Sequence, residues 1–150
     1  MVAEYLPKRA IKIRLNASDK RSVISELVEL LCEVYGLKNK DEILDSILER
    51  EEMMSTGVGY GVAIPHTKLG LVNSPKMVAG ISEKGIDFDS IDGEPAKIFF
   101  LLVSPKNGSG EHVRILSELS RILNNPEARE KVLSSETDKD FLETIRSYED

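Results

Sequence analysis

Apolar and polar residues alternate with period two over Ile11-Lys12-Ile13-Arg14-Leu15, the spacing of a strand with one face buried. Beyond it the period lengthens. Val23, Leu27, Leu30, Leu31 and Val34 fall on one helical stripe, with Ser18 at the N-cap position and Gly36 just past the C-terminus. Asn39, with Glu42 three residues on in the relation of a capping box, opens a second helix running to about Met54. Its stripe is Ile43, Ile47 and Met54, and Arg50 projects inside that stripe near the helix end.

Three further strands are predicted over 62–64, 77–82 and 98–103. The last, Ile98-Phe99-Phe100-Leu101-Leu102-Val103, is apolar at every position and suits a central strand covered on both faces. Asp92-Gly93-Glu94-Pro95 marks the turn before it. Helices follow over about 110–123, 126–133 (Pro126 in the first turn after Asn125) and 137–147. Helices at both ends with strands between them predict a three-layer α/β sandwich with a central mixed sheet. The pattern has no repeat and no linker, so residues 1–150 are expected to form one domain.

Composition narrows the function. A hydrophobic fraction of 41% and a charged fraction of 31% are ordinary for a soluble domain, and no apolar run reaches the length of a membrane span. The first residues do not resemble a secretory signal. Cys32 is the only cysteine, which excludes an internal disulfide and a cysteine-rich zinc framework and fits a reducing cytoplasm. It lies off the main apolar stripe and reads as a bystander thiol. A net charge of -6 argues against a generic nucleic-acid binder.

Candidate chemistry centres on His66, which ends the run Ser55-Thr56-Gly57-Val58-Gly59-Tyr60-Gly61-Val62-Ala63-Ile64-Pro65-His66. Pro65 fixes its own φ and holds Ile64 extended, so a stiff backbone aims the imidazole, while the glycines allow close approach. The only other histidine, His112, shares a stripe with Leu116, Leu119 and Leu123 and sits in the first turn of its helix. There it is either a satisfied rim residue or a neutral donor to a phosphate. Arg50 is either a packed, snorkelling stem or an anion clamp. The glycine run lacks the Gly-Lys-Ser/Thr ending of a P-loop, no paired-histidine zinc motif is present, and Gly108-Ser109-Gly110 does not match a hydrolase elbow. Nucleophilic phosphoryl transfer by imidazole needs only an exposed ring and donors for the phosphoryl oxygens.

The segment from Arg50 to His66 resembles the phosphorylation-site signature of the enzyme IIA domains of the mannitol/fructose type, from the bacterial sugar phosphotransferase system. Phe88-Asp89-Ser90-Ile91-Asp92-Gly93-Glu94-Pro95 and Glu111-His112 are similar to the family as well, so the resemblance covers nearly the whole chain. It implies a three-layer α/β sandwich, with His66 the phosphorylated nucleophile and His112 and Arg50 its accessory groups. It also implies phosphoryl receipt from the phosphocarrier protein HPr or a paralogue, without metal or organic cofactor. The next acceptor would be a IIB domain serving fructose or mannitol uptake or, in the nitrogen-regulatory branch, the phosphorylation state would itself be the signal. The stretch from Gly85 to Pro95 leans toward the fructose type. Thr67 departs from the Gly or Ala common after the histidine, and is expected to narrow the pocket or add a hydrogen bond.

Overall fold

The computed structural model describes residues 1–108 and 110–149. After two 3-10 turns at Val2–Tyr5 and Lys8–Ala10, the chain forms β1 (Ile11–Lys12), α1 (Lys20–Tyr35) and α2 (Lys40–Met53). Four short or long strands follow, β2 (Gly57–Gly59), β3 (Val62–Ala63), β4 (His66–Lys68) and β5 (Lys76–Ile86), and then β6 (Ala96–Ser104). The chain closes with α3 (Glu111–Leu123), α4 (Pro126–Leu133) and α5 (Asp138–Ser147).

β6 is the axis of the sheet. Every residue from Ile98 to Ser104 is buried, which the uninterrupted apolar run requires of a strand sandwiched between helices. β5 pairs antiparallel with one edge of β6 and carries β1 parallel on its far side. Along the other edge of β6 run β3 and then β4, both parallel to it, and β2 pairs antiparallel with β3. The sheet is therefore mixed. α1 and α2 pack on each other and against β5 and β4, while α4 lies on β6, α5 on β1, and α3 beside α4. This is the three-layer α/β/α sandwich that the pattern predicts.

Three local expectations are corrected. The first strand keeps only Ile11 and Lys12; the chain then bends, although the Leu15 amide still donates to the Ile81 carbonyl at 2.9 Å. The Leu15 side chain occupies the space above Gly80, where a Cβ would lie 2.8 Å from it. The N-cap of α1 is Asp19, not Ser18, because its carboxylate accepts from the Ser22 amide at 2.9 Å and from the Ser22 hydroxyl. Asn39 does precede α2, without a side-chain capping bond.

The third correction concerns the end of α2. Met54 is 71% exposed and already extended, so it is not part of the buried stripe. Glu51 takes that place, one turn after Ile47. Its buried carboxylate accepts from the Thr56 amide at 2.8 Å and the Thr56 hydroxyl at 2.6 Å, and lies 3.1 Å from the Lys20 ammonium. Glu51 thus ties the start of α1, the end of α2 and the start of the glycine run together. Replacing Glu51 with Ala is expected to lower stability by about 3 kcal/mol, because it leaves a buried amide without its acceptor and removes a partner of Lys20. In thermal unfolding the midpoint should fall by roughly 10 °C; an unchanged midpoint would contradict the clamp.

Candidate active site

The glycine run folds as a tight hairpin. Tyr60 and Gly61, between β2 and β3, both have positive φ (57° and 79°), the pattern of a type I′ turn. Gly57 is needed for a different reason: a Cβ there would lie 2.3 Å from the Ser90 hydroxyl and 2.9 Å from the Ser90 Cα. The hairpin is held by the following loop, with the Ile91 amide donating to the Gly57 carbonyl at 3.1 Å and the Tyr60 amide to Asp92 at 2.9 Å. A rigid hairpin therefore leads into Ile64 and Pro65.

At Pro65 the strand line beside β6 is interrupted, since proline brings no N–H to the ladder. β4 resumes the pairing at once, with His66 opposite Leu102 and the Leu102 amide donating to the Pro65 carbonyl at 3.0 Å. The Ile64 carbonyl accepts from the half-buried His66 ring, 2.7 Å from Nδ1. A carbonyl can only accept, so the His66 proton resides on Nδ1 and Nε2 carries the free lone pair. Burial depresses the His66 pKa and the Arg50 cation adds to this, against the opposing Ile64 bond and Glu51 carboxylate. The ring is thus favoured in its neutral form.

The structure brings His112 against it, with ring centroids 5.4 Å apart and the planes inclined by 61°. His112 Nδ1 is 2.7 Å from the hydroxyl of Ser104, the last residue of β6. Burial, then His66, then Lys68 push its pKa down to about 4. Arg50 stands in the last turn of α2 with its guanidinium donating to the Met54 carbonyl at 3.0 Å. It thus reaches His66 through its charge, with its described hydrogen bond going to the helix end. The site therefore combines one imidazole with a free Nε2, a second neutral imidazole and one cation, a set chemically suited to a dianionic group.

Of the two expectations for Thr67, the structure meets the added hydrogen bond and not the narrowed pocket. It points to the opposite side of β4 from His66, is buried, and its hydroxyl shares a 2.6 Å hydrogen bond with Ser46 on α2. It anchors the strand and leaves the His66 face of β4 clear. Cys32 is partly buried and its pKa is raised by that burial, in keeping with an unreactive thiol. Ser109 lies outside the described residues. Pattern reading missed Glu51 and Ser104; the available signal for the latter was a hydroxyl at the end of an otherwise apolar central strand.

The family model for the phosphoenolpyruvate-dependent sugar phosphotransferase system, EIIA 2, matches residues 4–148, and the chain belongs to that family. The chain is 37% identical over 136 residues to the PTS system fructose-specific EIIA component of Haloferax volcanii, covering 91% of this chain and 88% of that protein. With the PTS system fructose-specific EIIABC component of Bacillus subtilis it shares 33% identity over 148 residues, 99% of this chain and 23% of that protein, so it spans about a quarter of that relative. Among solved structures, the nitrogen regulatory protein IIA-Ntr of Neisseria meningitidis superimposes with a TM-score of 0.90 at 27% identity, covering 96% of this chain and 98% of that one. The fold is also that of enzyme IIAMtl in its complex with phosphorylated enzyme IIBMtl from Escherichia coli. There the TM-score is 0.79 at 20% identity, over 93% of this chain and 95% of that one.

The depressed pKa values set a pH dependence. A histidine held neutral in the fold binds its proton more readily when unfolded, so its contribution to stability is full above the ordinary value of 6.5 and is lost as pH falls from there through about 4. In an NMR titration His112 should titrate near 4 and His66 below 6.5. Inflections of both rings at or above 6.5 would contradict the buried, neutral pair.

Proposed function

We propose that residues 1–150 form a single IIA domain that relays phosphoryl groups through His66 in the cytoplasm. The observation that carries the reading is the His66 Nδ1–H bond to the Ile64 carbonyl, which commits one ring nitrogen and leaves Nε2 to react. In the transfer, the Nε2 lone pair forms a P–N bond as the donor's bond to phosphorus breaks. The Nδ1–H stays on the Ile64 carbonyl, which stabilises the positive charge the ring acquires. Arg50 and His112 support the phosphoryl oxygens, the first as a cation and the second as a neutral N–H donor.

A protein partner fits the surroundings. Met53 (77% exposed) and Met54 follow Arg50 in the chain, Val113 (64%) follows His112, and Val58 and Tyr60 (66%) project from the hairpin that leads to His66. Exposed apolar side chains gathered on the segments around a reactive group are what a docking protein covers. The donor is HPr or a paralogue, and the acceptor is a IIB domain, with fructose or mannitol as the sugar finally taken up. The fructose-specific names of the relatives at 37% and 33% identity favour this branch. The likeness to IIA-Ntr supports the second reading, in which the phosphorylation state of His66 governs partner binding without sugar transport.

Incubation with the general phosphotransferase proteins and labelled phosphoenolpyruvate should yield an acid-labile, base-stable adduct that is absent from His66→Ala. Label persisting in that variant would overturn the assignment. Arg50→Ala and His112→Ala should fold and relay phosphate about a hundredfold more slowly, the cost of losing one preorganised partner of a developing charge; wild-type rates in both would remove their accessory roles. Onward transfer to a IIB-bearing protein selects transport, and its failure selects regulation.

A further inference from the structure

Ser104 takes no part in the chemistry described so far, yet it is the only hydrogen-bond partner of the His112 ring among the described residues. Ser104 is 1% exposed, and its hydroxyl lies 2.7 Å from His112 Nδ1 with no second partner among the described residues. A hydroxyl can donate or accept, but the two choices differ in cost here. If His112 Nδ1 carried the proton and donated, the Ser104 O–H would be left buried with no acceptor, which costs more than an unfilled lone pair. The O–H therefore donates to Nδ1, and the proton of the neutral ring goes to Nε2.

From this we infer that Ser104 is a positioning residue that holds His112 in its Nε2–H tautomer, so that the ring offers a neutral N–H donor to the phosphoryl group carried by His66. The inference deepens the relay reading and rests on it for the phosphoryl group, though not for the tautomer. The two histidines are then set in opposite forms by two fixed partners. A carbonyl holds the His66 proton on Nδ1 and frees Nε2 to attack, while a hydroxyl fills Nδ1 of His112 and puts the proton where an oxyanion can use it.

The sheet links the two settings. β4 and β6 pair in parallel with His66 opposite Leu102 and Lys68 opposite Ser104, and the Leu69 amide donates to the Ser104 carbonyl at 2.8 Å. His66 and Ser104 therefore belong to one two-strand ladder, and His112, although it comes from α3, is registered to that ladder through its side chain.

The test begins on unmodified, unphosphorylated protein, where long-range proton–nitrogen NMR at pH 7 reads the tautomer of each ring. His112 is expected as Nε2–H and His66 as Nδ1–H. In Ser104→Ala the His112 signals should move toward a tautomer mixture while those of His66 hold. A wild-type His112 found as Nδ1–H, or a His112 tautomer unmoved in Ser104→Ala, would overturn the inference whatever becomes of the relay. In transfer assays Ser104→Ala should slow phosphorylation of His66 about tenfold, the scale of one hydrogen bond, and the same change made in His112→Ala should have no effect. A merely structural role would slow both backgrounds by the same factor, and that result would also overturn it.

Discussion

The hydrogen bond from His66 Nδ1 to the carbonyl two residues back, 2.7 Å long, is the constraint to which the rest of the site is fitted. It converts a flexible imidazole into a ring with one fixed orientation and one fixed proton. It requires a backbone that leaves the Ile64 carbonyl off the ladder while keeping it next to His66, and Pro65 between them supplies this by interrupting the strand line without moving it away from β6. The parallel pairing of β4 with the buried central strand then prevents the arrangement from relaxing. His66 is thus tied to the central strand through its backbone and oriented through its ring.

Electrostatics act in the same direction. A chain of net charge -6 would by itself favour protonated imidazoles, but at this site burial and local cations outweigh the global charge. Arg50 adds to the larger effect of burial in lowering the His66 pKa, and in the proposed relay it would also offer a cation to the attached phosphoryl group. Its own position depends on the end of α2, where Glu51 is buried and the helix stops at Met53. The Glu51 clamp to Thr56 and Lys20 is thus part of the same construction: it sets where α2 ends and where the glycine hairpin begins.

Much of this was legible in the pattern of residues. Strong, long periodicities located their elements well, as at β6, where an apolar run could only be a central strand, and at α4, where Asn125 and Pro126 marked a helix start that the structure keeps. His66 stood out because glycines and a proline are costly unless the backbone needs them. Short elements fared worse. β2 and β4 have three residues each, too few to show a period, and exist because β3 and β6 offer edges to pair with. Met54 and Glu51 exchanged places because a stripe drawn by hydrophobicity has no means of seeing that a carboxylate will meet an amide, a hydroxyl and an ammonium in the interior. Ser104 was missed for the same reason, since its partner is eight residues away across a loop.

In the proposed relay the fold decides which nitrogen of His66 reacts. The most direct measurement is proton–nitrogen correlation, with phosphorus coupling, on the phosphorylated protein with labelled histidine. A P–N bond at Nε2 is expected, with the Nδ1 proton retained on the Ile64 carbonyl; phosphorus attached to Nδ1 would require that hydrogen bond to break and would overturn the assignment.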